Sequence, residues 1–210
     1  MIFMTSDPHF FHANIIKYCS RPQNWTEIYI RNWKRLVKND DHVIILGDVG
    51  FGNGSSLKCV IDQLPGKKYT LIGNHDKPKQ LTDAGITVWD GEHGKRWSIE
   101  GNTFVMIKGE KDPRPEFVSS QGVCNEIGIS HEPYPNIKFP YFYGHLHNGP
   151  IPFSREYNPY PLHLISGRNL SVEVTNYTPI PLPILLYDKD WLDKNWKAYF
   201  MEFFALPKGG

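Results

Sequence analysis

Through the first half of the chain, short apolar runs rich in β-branched residues alternate with stretches whose apolar positions recur at helical spacing. Ile2 to Ser6, His42 to Leu46 and Lys68 to Ile72 read as strands. Between the first two, Trp25, Tyr29, Trp33, Leu36 and Val37 return every three or four residues, the period of a helix with one buried face. Asn24 followed by Glu27 has the form of a capping box at its start. A second helix is expected from Ser55 and Ser56 through Leu57, Val60, Ile61 and Leu64, stopped by Pro65 and Gly66, and a short third from about Pro78 to Ala84. Strands alternating with helices imply parallel pairing through helical crossovers.

After Gly85 the period shortens. Ile86 to Trp89, Trp97 to Glu100, Thr103 to Ile107, Ile127 to Ser130 and Tyr141 to Tyr143 are expected strands, separated by turn residues. Gly109 to Glu126 and the proline- and aromatic-rich Asn148 to Leu162 read as long loops, and Asp190 to Ala205 as an aromatic-rich terminal helix. The fold class is therefore α/β, as a single domain over 1–210.

Composition narrows the partners. A net charge of +1 provides no broad basic field for holding a polyanion, so phosphate recognition has to be local. Cys19, Cys59 and Cys124 are odd in number, far apart and form no CxxC, which argues against both a disulfide framework and a thiolate zinc site. Met1 to Ser6 reads as a strand rather than a secretory leader, and no stretch approaches the ~18 consecutive apolar residues of a membrane span. A cytoplasmic location without membrane partners is expected; the oligomeric state is left open.

Small groups of potential metal ligands follow five of the apolar runs. Asp7 and His9 follow the first, Asp48 the second, and Asn74, His75 and Asp76 the third; His131 comes after Ile127 to Ser130, and His145 and His147 after Tyr141 to Tyr143. Crevices of open α/β sheets lie just beyond the carboxyl ends of strands, which is where all five groups fall. On an extended chain, the pairs Asp7/His9 and His145/His147 aim both side chains to one side. Gly47, Gly73 and Gly144 let the backbone turn and come close. By composition alone a Gly-Asn-His-Asp string arises roughly 0.003 times and Gly-His-x-His about 0.03 times, so these two strings carry the case.

In order and spacing the set Asp-x-His, Gly-Asp, Gly-Asn-His-Asp, a lone His and Gly-His-x-His resembles the calcineurin-like metallophosphoesterase family. The opening Thr-Ser-Asp-Pro-His-Phe-Phe-His-Ala-Asn-Ile-Ile resembles its small prokaryotic and phage members, and Asn169 to Pro179 their closing strands. The resemblance implies a β-sandwich flanked by helices with the metal site at the carboxyl ends of the strands. It implies two divalent cations, manganese foremost with iron, zinc, cobalt or nickel as alternatives. Asp7, His9, Asp48 and His147 would bind one, and Asp48, Asn74, His131 and His145 the other. A hydroxide bridging the two would attack phosphorus, His75 would act as general acid and Asp76 would orient it.

The phosphoprotein phosphatases of that family carry Gly-Asp-x-x-Asp-Arg and an Arg before Gly-Asn-His. Here those places hold Gly47 to Gly52 and Ile72. Without guanidinium forks a monoester dianion is poorly neutralised, so a phosphodiester of a nucleotide or nucleic-acid end is the expected substrate. The alternatives are a phosphomonoesterase or phosphoprotein phosphatase, and a non-catalytic scaffold of the same fold. His12 is divided between a phosphate-contacting and a helix-start role; His42, His93 and His163 read as ordinary polar residues. Packing is the favoured use of Phe10, Phe11, Phe51 and Tyr134, with base stacking as the alternative, and a solvated loop explains Lys111 and Arg114 as well as substrate contact does.

Overall fold

In a computed structural model of the chain, residues 1–108, 126–134, 140–147 and 168–186 are described. They form two mixed five-stranded sheets and five helices, an α/β architecture. The first sheet has the order β10-β1-β2-β3-β4, from β1 (Ile2–Thr5), β2 (His42–Ile45), β3 (Lys67–Thr70), β4 (Thr87–Val88) and β10 (Ile180–Pro181). β1 to β4 pair in parallel and β10 joins β1 antiparallel. The second sheet runs β5 (Arg96–Ile99), β6 (Asn102–Met106), β7 (Glu126–Ile129), β8 (Tyr141–Tyr143) and β9 (Arg168–Asn169). Only its β5–β6 pair is antiparallel.

Strand alternation explains the layers. Ile2, Met4, Ile44 and Leu46 share a buried apolar cluster with Phe104, Met106, Ile127, Ile129 and Phe142 of the second sheet. The intervening Phe3, Val43 and Ile45 point the other way, into a cluster with Trp25, Tyr29, Trp33, Leu57, Ile61 and Leu81 of the helices. Strands buried on both faces explain the nearly continuous apolar runs. Each such large side chain contributes roughly 1.5–3 kcal/mol by leaving water.

The helices are α1 (Ile15–Tyr18), α2 (Trp25–Leu36), α3 (Gly54–Ile61), α4 (Pro78–Asp83) and α5 (Leu182–Leu185). The expected capping box of α2 does not form: the Asn24 side chain makes no cap hydrogen bond, and the Trp25 N–H instead reaches the Pro22 carbonyl at 3.1 Å. α3 starts one residue before Ser55 because Asn53 caps it, its Oδ1 accepting from the Ser56 N–H at 2.8 Å. Asn169 to Pro179 is mostly turn: after β9 only Ser171 pairs, in an isolated bridge to Ser6, before β10 begins at Ile180. The loops expected over 109–125 and 148–162, Cys124, His163 and the terminal helix of Asp190 to Ala205 lie outside the described residues. No helix among the described residues is long and apolar enough to cross a membrane.

Candidate metal centre

The donors stand just past the carboxyl ends of β1, β2 and β3 in one sheet and of β7 and β8 in the other. The loops after β1 and β2 are laced together, with the His9 N–H donating to the Asp48 carbonyl at 3.0 Å and the Phe10 N–H to the Val49 carbonyl at 2.9 Å. Asp7, His9 and His147 present ligand atoms all within 4.8 Å of one another, and Asp48, His131 and His145 form a second such group. Asp48 Oδ2 lies 3.4 Å from His9 Nε2 and 3.4 Å from His131 Nε2, so one carboxylate stands between the two groups. Asn74 Oδ1 completes the second, 2.9 Å from His131 Nε2 and 3.2 Å from His145 Nδ1. All seven expected donors are thus brought together.

The pairs do not converge as an extended chain would make them. Asp7 (φ 56°), His9 (52°), Asp48 (52°), His145 (67°) and His147 (49°) all have left-handed backbones. A non-glycine residue there costs of order 1–3 kcal/mol and persists where the surroundings dictate it. Close approach explains two of the glycines: a Cβ on Gly73 would sit 2.2 Å from Asp48 Oδ1, and one on Gly144 2.3 Å from Asp7 Oδ2. Neither has a positive φ, so space rather than turning is what they supply.

The buried polar atoms fit a cation. Asp7 Oδ1 and both ring nitrogens of His9 are buried without a hydrogen-bond partner, in a class of atoms that is nearly always paired. The donors are carboxylate and amide oxygens and imidazole nitrogens, a set suited to a first-row divalent metal. Burial drives the His9 imidazole down to about 3. Burial also raises Asp7. For Asp48 burial is outweighed by the hydrogen bond and charge of His131, leaving it at about 2. Against their own burial, the Asp48 contact lifts His131 to about 9, while Cys19 and Glu173 lift His147 to about 10.

His75 and Asp76 part company. The His75 ring is exposed, 5.7 Å from the ring of His9 and 4.9 Å from that of Phe51, while its N–H donates to Asp48 Oδ1 at 2.9 Å. Asp76 does not orient it. Its carboxylate accepts the backbone N–H groups of Asp48 (2.7 Å), Val49 (2.9 Å) and Gly73 (2.9 Å), clamping the loop after β2 to the turn after β3. His12 stacks on Phe51 at 4.3 Å, with its Nδ1 buried and unpartnered. Phe10 is core, packed on Trp25 and Tyr29, whereas Phe11 and Phe51 are exposed. His42 meets Tyr69, and His93 accepts from the Lys108 N–H.

Two charged residues at the centre escaped the sequence reading. Glu173 Oε1 lies 3.0 Å from His147 Nδ1 and accepts from Arg21 Nε at 2.7 Å. Arg21 also donates to the carbonyls of Pro8 (2.7 Å) and Asp7 (2.8 Å). A lone Arg and a lone Glu 152 positions apart carry no spacing that could have flagged them. A cavity of about 290 Å³ opens beside Asn74 and His131, lined also by Trp89, Lys108, Glu132 and Tyr134.

No protein-family model matches the chain. It is 29% identical over 191 residues to the uncharacterized protein MJ1445 of Methanocaldococcus jannaschii, covering 88% of this chain and 89% of that one. It is 27% identical over 140 residues to the gene 66 protein of Mycobacterium phage L5, covering 63% of each. Among solved structures, AQ665 from Aquifex aeolicus, a protein of unknown function, superposes with a TM-score of 0.55 at 24% identity over 86% of this chain and 94% of that one. That likeness concerns the fold alone. The phosphopantetheinyl hydrolase of Mycobacterium tuberculosis reaches a TM-score of only 0.36 at 13% identity over 70% of this chain and 83% of that one.

Proposed function

We propose that the chain is a calcineurin-like metallophosphoesterase that hydrolyses a phosphodiester, such as a nucleotide or a nucleic-acid end, with two divalent cations. The observation that carries this reading is the position of Asp48 Oδ2, equidistant at 3.4 Å from an imidazole of each donor group. Asp7, His9, Asp48 and His147 would hold one ion and Asp48, Asn74, His131 and His145 the other, manganese being the first choice. Two such ions supply the Lewis acidity that activates a water and neutralises charge developing on a phosphoryl group.

The chain's own residues do the rest. The amide and carboxylate contacts around Asp48 fix the shared ligand before substrate arrives, so little reorganisation accompanies the reaction. His75, exposed at the open side of the site, delivers a proton from an imidazole nitrogen to the leaving oxygen. Arg21 supports the diester preference: its guanidinium is committed to Glu173 and to two backbone carbonyls, and so does not serve as a fork for a phosphate dianion. The cavity beside Asn74 and His131 offers room for part of the substrate beyond the phosphate.

The test is chelation followed by add-back of single divalent cations, with bis-aryl and mono-aryl phosphates as substrates. Loss of turnover on chelation, recovery with manganese and preference for the bis-aryl ester are expected. Turnover indifferent to chelation refutes the metal mechanism; faster mono-aryl hydrolysis replaces the diester reading with a phosphomonoesterase. No metal-stimulated turnover of either ester leaves a scaffold.

A further inference from the structure

We infer that Glu173 and Arg21 are positioning residues for the cation that Asp7, His9 and His147 would hold, an assignment that rests on the metal-centre reading above. His147 offers two ring nitrogens, and only one can face the ion. Nδ1 is taken by Glu173 Oε1 at 3.0 Å, which leaves Nε2, 4.0 Å from Asp7 Oδ1, for coordination. A carboxylate that accepts from the far nitrogen of a ligating histidine fixes its tautomer and ring angle and raises its basicity.

Glu173 needs holding in turn. It follows Ser171 and Val172 in a turn rather than in a strand, and no ladder of backbone bonds sets its direction. Arg21 sets it instead. Nε and Nη2 both meet Oε1, at 2.7 and 2.6 Å, while Nη1 donates to the Pro8 carbonyl and Nη2 also to that of Asp7. The Arg21 side chain is fully buried, and the Glu173 side chain is only 5% exposed. Trp25 stacks on the guanidinium at 4.4 Å. One rigid cation therefore ties the backbone of ligand Asp7 to the carboxylate that aims ligand His147, although those ligands lie 140 positions apart in the chain. The planar fork suits this work, and a lysine ammonium would reach only part of it.

A rival use of the same atoms is a separate soft-metal site, since Cys19, His147 and Glu173 also present ligand atoms within 4.8 Å of one another. The guanidinium against Glu173 opposes it by placing a fixed positive charge beside one of the three ligands.

The experiment measures manganese binding to the full chain by calorimetry and by metal analysis after dialysis, for wild type, Glu173→Gln, Glu173→Ala, Arg21→Lys and Cys19→Ser, with circular dichroism to confirm folding. Two ions are expected on the wild type. Glu173→Ala and Arg21→Lys should weaken one of them by about 10- to 100-fold and leave the other unchanged. Glu173→Gln, which keeps an oxygen for His147 Nδ1–H, should lose less than Glu173→Ala. Cys19→Ser, whose hydroxyl keeps a hydrogen-bonding group beside His147, should bind both as wild type does. Wild-type affinity at both sites in every folded Glu173 and Arg21 variant overturns the assignment, as does loss of an ion in Cys19→Ser, which would make the thiol a ligand. A wild type that binds no second ion removes the metal-centre reading itself, and this inference with it.

Discussion

Gly144→Ala adds one methyl group at the most crowded point of the site. Its Cβ would lie 1.9 Å from Ser6 Oγ and 2.3 Å from Asp7 Oδ2, where ordinary contact begins at 3.4 Å, so the carboxylate or the chain has to give by about 1.1 Å. Metal ligands tolerate displacements of only about 0.2 Å, and a shift of about 1 Å in a catalytic arrangement costs roughly 10²-fold in rate. The same Oδ2 accepts from the His145 N–H at 2.9 Å and from Ser171 Oγ at 3.0 Å, so moving it disturbs two hydrogen bonds to a buried carboxylate, worth about 1.5–3 kcal/mol each when lost outright. The variant should therefore bind manganese at least ~10-fold more weakly, turn over about 10²-fold more slowly and melt earlier, by calorimetry, bis-aryl phosphate hydrolysis and thermal denaturation. Gly54→Ala is the control. A Cβ there meets nothing closer than Asp83 at 3.4 Å and falls in the first turn of α3, so it should be neutral or stabilising by up to about 1 kcal/mol, with metal binding intact. A Gly144→Ala protein with wild-type metal content and rate would refute the claim that this glycine exists to admit the Asp7 carboxylate.

His75→Ala should keep both ions, because only its backbone N–H touches Asp48, and slow turnover by about 10²–10⁴-fold; an unchanged rate in the metal-loaded variant removes His75 from proton transfer. Asp76→Ala should behave differently, losing stability by at least ~1–3 kcal/mol along with metal affinity, since it strands backbone N–H groups of Asp48, Val49 and Gly73; a purely kinetic defect would restore the acid-orienting role. Asn53→Ala should cost about 1 kcal/mol in denaturant unfolding without changing metal binding, and no loss would show that its bond to the Ser56 N–H is idle.

Much of the architecture was legible because it obeys short-range rules. The apolar runs at Ile2, His42 and Lys68 and the Trp25, Tyr29, Trp33 period report which faces are buried, and the structure puts strands and a helix there. The candidate ligands stood out too, since strings such as Gly-Asn-His-Asp are rare for this composition, and the structure gathers them in one place. What the chain could not reveal is how those donors meet. Five of them sit in left-handed backbone, which costs any residue with a side chain, held by hydrogen bonds between the loops after β1 and β2 and by the Gly144 approach. Asp76 and Asn24 show the same limit from the other side: each was expected to serve a close neighbour, but Asp76 binds amides of Asp48, Val49 and Gly73, and a different turn takes the place of the Asn24 cap. The Arg21–Glu173–His147 chain is entirely tertiary. Ion pairing falls off over a few ångströms of space and is blind to separation along the sequence, so a contact spanning 152 positions exists only once the sheets have stacked.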